Sequence, residues 1–364
     1  MNKQLALVVG ARPNFMKAAP LMAAVQAKGR LTARLIHTGQ HFDANMSDVF
    51  FTQLQMAEPE LYLDIHGGSV NEQVARTILA LDAEFTANRP DMVVVFGDVN
   101  STLAASIAAN KLNIPLAHVE AGLRSFAREM PEEHNRNVAD VLADYLFTPS
   151  PDADENLAAA GIPVERIYRV GNIMVDSLLR FKPAAEKLAA WDAHSLTPRQ
   201  YGVVTLHRPS NVDEQVALSG IVQALTDIQH SVQLIFPVHP RTRARMAEWG
   251  LLDALQASGV RLLGPVGYLE FVSLMTQAQF ILTDSGGIQE ESTMLGVPCL
   301  PAREPTARPI TLQMGGNRLV GNSPEGSVSG YRALSSQKTP PQQPDLWDGR
   351  TAERIEAILF EKLS

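Results

Sequence analysis

Residues 283–292 read TDSGGIQEES and follow directly on the apolar run Phe280, Ile281, Leu282. A short strand that passes through a double glycine into a helix is the local pattern of a parallel α/β sheet. The same stretch makes an anion site. Gly286 and Gly287 admit close backbone approach, Ser285 adds a hydroxyl donor, and a helix opening at Ile288 points free N–H groups at a bound phosphate. Glu291, one turn into that helix, suits the vicinal hydroxyls of a ribose better than a phosphate. Together these features read as a nucleotide-diphosphate grip, although the residues also fit an ordinary strand-to-helix turn.

Outward from this stretch, short apolar runs alternate with helical patterns along the whole chain. Strands are predicted at 5–9, 34–37, 92–96, 116–119, 145–148, 167–170, 201–205, 233–236, 260–263 and 280–282, with clear helices at 98–112 and 132–143. At 364 residues the chain exceeds one ordinary domain of roughly 150 residues. The expectation is therefore an α/β protein of two Rossmann-like doubly wound domains, 1–171 and 172–350, with a last helix at 351–363 packing back on the first. Residues 335–345, with Pro340, Pro341 and Pro344, read as an exposed connector. In such sheets ligands bind at the strands' carboxyl ends, and two units in series are expected to face each other across a cleft.

Composition excludes several classes. The net charge is −8 and the basic residues are scattered, which argues against a nucleic-acid surface. No run reaches the roughly 18 apolar residues of a membrane span. The N-terminal run ends too soon for a signal peptide and reads as the first strand, so a soluble cytoplasmic protein is expected. A single cysteine, Cys299, excludes a disulfide framework, and its setting in VPCLP marks it as a buried small hydrophobe.

The residues with chemistry stand at predicted strand ends. GARPNFMKAAP (10–20) lacks the spacing of a dinucleotide fingerprint or a P-loop, but Arg12 and Lys17 flank a helix opening and could meet a phosphate; they also fit a solvated loop. In FGDVNST, Asp98 reads first as a helix cap. Glu120 in HVEAGLRSF follows an apolar run with no capping pattern, and MPEEHNR places Glu132 in the first turn of a helix beside Glu133, Asn135 and Arg136. Carboxylates gathered in a cleft split their proton affinities, which equips a site for general acid/base work. The second half adds His207 in TLHRPSNVD and His239 with Arg241 in FPVHPRTR. Asp98, Glu120, Glu132 and His207 lack the tight spacing of a metal site, so no metal is expected.

The ordered set GARPNFMKAAP, TGQHFD, GDVNST, HVEAGLRS, MPEEHNR, GN…VD, TLHRPSN, PVHPRT and TDSGGIQEE resembles the non-hydrolysing UDP-N-acetylglucosamine 2-epimerase family, over most of residues 5–322. The resemblance implies a GT-B-like fold, a UDP-sugar substrate, no cofactor, and a homodimer. It also implies a mechanism: elimination of UDP across C1 and C2 to a 2-acetamidoglucal, then re-addition with the proton returned to the opposite face. Carried over by motif, the acid/base set is Asp98, Glu120, Glu132 and His207. The UDP set is Arg12, Lys17, His239, Ser285, Gly286, Gly287, Glu291 at the ribose, and Arg308, with His41 nearby.

The chain also departs from the family pattern. Where many relatives read T-E-R-P-E, it has Thr306, Ala307, Arg308, Pro309 and Ile310, so a carboxylate is missing. Where many read HRREN, it has His207, Arg208, Pro209, Ser210 and Asn211, which implies weakened or absent activation by a second substrate molecule. Rival readings are a 2-epimerase of UDP-2,3-diacetamido-2,3-dideoxyglucuronic acid, a GT-B glycosyltransferase, and a hydrolysing epimerase. A non-enzymatic nucleotide-sugar binder would leave the acid/base set without a purpose.

Overall fold

The computed structural model describes residues 2–39, 58–314, 316–334 and 342–364. His41 and most of the expected connector at 335–345 lie outside the described residues. The chain divides into two compact units, Met1–Ser177 with Asp345–Ser364, and Leu178–Pro344.

The first unit runs β1 (Lys3–Val9), α1 (Arg12–Lys28), β2 (Leu31–His37), β3 (Leu61–Tyr62), α2 (Val70–Ala87), β4 (Met92–Phe96), α3 (Asn100–Lys111), β5 (Leu116–Val119), α4 (Pro131–Leu142), β6 (Tyr145–Thr148), α5 (Pro151–Ala159), β7 (Ile167–Arg169) and α6 (Ile173–Leu188), the last continuing into the second unit. Its sheet is parallel throughout, in the order β3-β2-β1-β4-β5-β6-β7. Every residue of β4 is buried, as a central parallel strand covered on both faces requires. The strand order reverses between β1 and β4, and that switch point opens a crevice at the carboxyl ends of both strands.

The second unit runs β8 (Tyr201–Thr205), α7 (Gln215–Gln229), β9 (Gln233–Pro237), α8 (Pro240–Glu248), β10 (Arg261–Leu263), α9 (Tyr268–Thr276), β11 (Phe280–Thr283), α10 (Gly286–Leu295), β12 (Cys299–Pro301) and α11 (Pro324–Leu334). The order β10-β9-β8-β11-β12, again all parallel, puts its switch point between β8 and β11. Along α7, Leu218, Ile221, Val222, Leu225 and Ile228 recur at helical spacing and bury one face against Leu234, Phe236 and Phe280. Each unit is thus doubly wound and Rossmann-like, and the fold class is GT-B-like.

Two strands escape the sequence patterns. Leu61–Tyr62 is a two-residue edge strand, and Cys299–Pro301 follows one proline and ends on another, which disguises it. Cys299 itself is fully buried.

The final helix, α12 (Thr351–Leu363), belongs to the first unit and packs on α1. Its first amides are taken by Asp176, which accepts from Thr351 N at 3.2 Å and Ala352 N at 2.7 Å. Arg30 grips the buried Glu356 through Nε and Nη2, at 2.8 and 2.7 Å. Trp347, just upstream, is 1% exposed and donates Nε1–H to Pro149 O at 2.8 Å.

Candidate active site

At the switch point of the first unit, Asn14 ties the two reversing strands together. Its Oδ1 accepts from Gly10 N and Ala11 N at 3.2 Å each, and its Nδ2 donates to Phe96 O at 2.9 Å. Gly10 must lack a side chain, because a Cβ there would stand 1.8 Å from Ser101 Oγ. Arg12 is the first residue of α1, and its side chain lies outside the described part of the structure.

Asp98 is not a helix cap. Val99 stands at the N-cap of α3, and no side chain caps that helix. The Asp98 carboxylate instead forms an ion pair with Arg136, whose other nitrogen reaches Glu133 Oε2 at 2.9 Å. Asn135 Nδ2 also holds the Asp98 carbonyl, at 2.9 Å. The two adjacent glutamates of α4 therefore have different tasks. Glu133 is buried and accepts from Ser125 N and Oγ at 2.9 Å each, from Phe126 N at 3.4 Å and from Arg136. Glu132 is half-buried and makes no side-chain hydrogen bond among the described residues.

Glu120 leaves β5 in the left-handed region with φ at 70°, while its amide and that of Ala121 both donate to Phe147 O at 3.1 Å. A glutamate at positive φ is uncommon, and here the doubled bond to one carbonyl turns the side chain out of the strand's alternation. Its carboxylate is 6% exposed and forms a buried ion pair with Lys17. Gly97 leaves room for that pair, since a Cβ there would lie 2.7 Å from Lys17 Nζ and 3.2 Å from Glu120 Oε2. Lys17 is expected from the sequence beside a phosphate, and any phosphate bound there would share the ammonium with Glu120.

Beneath these loops lies a buried charged cluster. His118 faces an acceptor with each ring nitrogen, Asp140 Oδ1 at 2.7 Å and Gly97 O at 2.8 Å, and Arg124 reaches Asp140 Oδ2 at 2.6 Å. Burial pushes the Asp140 carboxyl up, but His118 and Arg124 outweigh it and hold the group below the usual carboxylate range. The cluster braces Gly97 and Gly122, and so the loops that carry Asp98 and Glu120.

In the second unit, Ser285 is the N-cap of α10, and the helix opens at Gly286, two residues before the expected Ile288. The two glycines are the first positions of the helix rather than a loop ahead of it. Gly287 has open space above it, whereas Gly286 lies under the Arg308 guanidinium, where a Cβ would be 3.0 Å from Arg308 Cζ. Arg308 Nε also meets the buried Glu290 at 3.2 Å. Thr306 fixes the approach of this segment, donating to Gln289 Oε1 at 2.8 Å and accepting from Arg308 N at 3.1 Å. Ala307, where the sequence departs from the family pattern, is buried.

Glu291 accepts from Tyr268 Oη at 2.8 Å. Burial pushes its carboxyl from an ordinary 4.5 up to about 7, partly offset by the tyrosine and reinforced by Glu290. A carboxyl raised on folding adds stability that is complete below about 4.5 and is lost as pH rises through about 7. The shift corresponds to roughly 3 kcal/mol. Glu291→Gln should therefore remove that much of the stability change between pH 4.5 and 8, read from urea midpoints of the two proteins. Parallel pH profiles would contradict the assignment.

His207 and His239 end β8 and β9, with ring centroids 6.1 Å apart. His239 caps α8, its Nδ1 accepting from Arg241 N at 3.3 Å, so the neutral ring carries its proton on Nε2. Partial burial, then His207 and Arg241, lower its proton affinity. His207 Nδ1 lies 2.9 Å from Asp284, a fully buried residue of the stretch 283–292 that is not among the expected site residues. Burial pushes the Asp284 carboxyl up, but His207 and the backbone amides of Arg208 and His207 hold it below the usual range. Pro209 opens the short helical turn Pro209–Val212 that follows.

Each switch point thus carries its own chemistry, with carboxylates backed by cations in the first unit and histidines beside a helix N-terminus in the second. Among the described residues, no group of three or more His, Cys, Asp or Glu side chains could hold a metal ion. No described helix is long and apolar enough to cross a membrane.

Residues 23–360 match the family model described as UDP-N-acetylglucosamine 2-epimerase. The chain is 39% identical over 362 residues to the UDP-N-acetylglucosamine 2-epimerase of Methanocaldococcus jannaschii, covering 98% of each. It is 40% identical over 362 residues to the UDP-2,3-diacetamido-2,3-dideoxy-D-glucuronate 2-epimerase of Pseudomonas aeruginosa, covering 98% of this chain and 99% of that one. The crystal structure of the Methanocaldococcus jannaschii enzyme in complex with UDP-GlcNAc and UDP superposes with a TM-score of 0.91 at 38% identity, covering 98% of this chain and 99% of that one.

Proposed function

Because the chain belongs to the UDP-N-acetylglucosamine 2-epimerase family, we propose that it interconverts UDP-N-acetylglucosamine and UDP-N-acetylmannosamine by eliminating and re-adding UDP. The observation that carries this reading is the grouping of Asp98, Glu120 and Glu132 at the ends of β4 and β5 and the start of α4. The C2 proton of an N-acetylhexosamine has no carbonyl beside it in the ring, so simple removal and return is unfavourable. One carboxylate takes that proton while the C1–O bond to UDP breaks and the C1–C2 double bond forms. UDP then re-forms the C1–O bond as a proton is delivered to the other face of C2. Two faces call for at least two acid/base groups, for which Asp98, Glu120 and Glu132 are the proposed candidates in the first unit.

Cations support the charged forms in this scheme. Lys17 pairs with Glu120 and Arg136 with Asp98, so each carboxylate has a cation against it. For the departing pyrophosphate the second unit offers the α10 N-terminus with Ser285, Gly286 and Gly287, Arg308 and the Nε2–H of His239. Glu291 takes the ribose hydroxyls, and His207 exchanges a proton during the reaction. No cofactor enters the scheme.

Chromatographic analysis of products tests it. UDP-N-acetylmannosamine is expected from UDP-N-acetylglucosamine, while free N-acetylmannosamine with UDP would mark a hydrolysing enzyme. Turnover of UDP-2,3-diacetamido-2,3-dideoxyglucuronic acid alone would favour the second reading, which the 40% identity to the Pseudomonas aeruginosa enzyme keeps in view. We also propose a cytoplasmic homodimer that supplies N-acetylmannosamine units to surface polysaccharide; light scattering should read twice the monomer mass.

A further inference from the structure

Asp284 is fully buried, and a buried carboxylate must be surrounded by donors. It accepts from His207 N at 3.2 and 3.0 Å, from Arg208 N at 2.9 Å and from Asn211 Nδ2 at 3.0 Å. Those bonds already satisfy a structural carboxylate, yet its Oδ1 also lies 2.9 Å from the ring Nδ1 of His207. One side chain just after β11 therefore holds both the backbone and the imidazole of a residue just after β8, across the switch point where Thr205 and Thr283 are in register. Asn211 extends the clasp to the residue after β12 by donating to Ala302 O at 2.9 Å, and Arg208 Nε returns to Asp284 O at 2.8 Å.

We propose that Asp284 is the positioning residue of His207, fixing the tautomer that carries a proton on Nδ1 so that His207 exchanges its working proton through Nε2. The Nδ1 proton stays on the ring through the cycle and Asp284 stays ionised; one proton enters and leaves at Nε2. The neighbouring ring of His239 already accepts from Arg241 N through its Nδ1, which leaves the Asp284 carboxylate as the acceptor for a proton on His207 Nδ1. The assignment rests on the epimerase reading for its kinetic consequences but not for its geometry.

Two measurements test it. Nitrogen-15 NMR of the histidine-labelled, unsubstituted protein, with the His207 signal assigned by its loss in His207→Asn, should show the Nδ1–H tautomer when the ring is neutral; an Nε2–H tautomer overturns the proposal. In kinetics, Asp284→Asn should lower kcat about 100-fold, the lower end for a positioned acid/base group, with KM little changed. The double variant with His207→Asn should be no slower than His207→Asn alone. Unchanged kcat in Asp284→Asn, or additive losses in the double variant, overturn it. If the unsubstituted protein does not epimerise UDP-N-acetylglucosamine, the functional reading fails, while the tautomer still decides what Asp284 does.

Discussion

Glu120→Gln is expected to reduce epimerisation and C2 proton exchange together by roughly 10²- to 10⁴-fold, the range for removal of a positioned acid/base group. Glu120 is held in an uncommon backbone conformation. It sits at a φ of 70°, its amide shares the Phe147 carbonyl with Ala121, and Gly97 leaves the gap in which it meets Lys17. Glutamine keeps the shape and removes the proton-accepting charge. UDP affinity should change less than turnover, because most of the groups proposed for the nucleotide lie in the second unit. The substitution also breaks a buried ion pair, at a cost of about 3–5 kcal/mol, so folding is checked first by urea denaturation. A folded Glu120→Gln protein with near-normal exchange would remove Glu120 from the chemistry.

Trp347→Ala should have the largest effect on stability alone, about 3–5 kcal/mol. The indole is 1% exposed and its Nε1 donates to Pro149 O at 2.8 Å, so truncation leaves both a cavity and a buried carbonyl without its partner. Next to it, Gly171 at a φ of 95° admits Leu346 O, which a Cβ would approach to 2.1 Å. The segment from Asp345 onward returns to the first unit through these contacts and through Asp176 and Arg30. A loss of this size shifts a urea midpoint by about 1–2 M. An unshifted midpoint would mean that the return segment contributes nothing to the first unit.

Most strands were legible because a parallel sheet covered on both faces demands continuous apolar runs, and MVVVF or YGVVT cannot be mistaken. Leu61–Tyr62 was not, since two residues at an edge carry no period. The helix start at Gly286 was missed for a related reason: glycine signals a loop by propensity, while here it opens a helix beneath the Arg308 guanidinium.

The site was legible as a set of residue types at strand ends, but not as a set of pairs. Asp98 and Arg136 are 38 positions apart in the chain, and Asp284 meets a histidine 77 positions before it. Local spacing encodes neither pairing. One signal did stand in the sequence for Asp284: an acidic residue directly after an apolar strand, with no capping pattern to use it. Glu120 stands in the same position after β5.

The most direct test of the central claim is proton NMR of UDP-N-acetylglucosamine incubated with the protein in D2O without added metal. Elimination and re-addition predict deuterium at C2 in both UDP-N-acetylglucosamine and newly formed UDP-N-acetylmannosamine. UDP-N-acetylmannosamine that forms while keeping its C2 proton, or a substrate that neither exchanges nor epimerises, would contradict it.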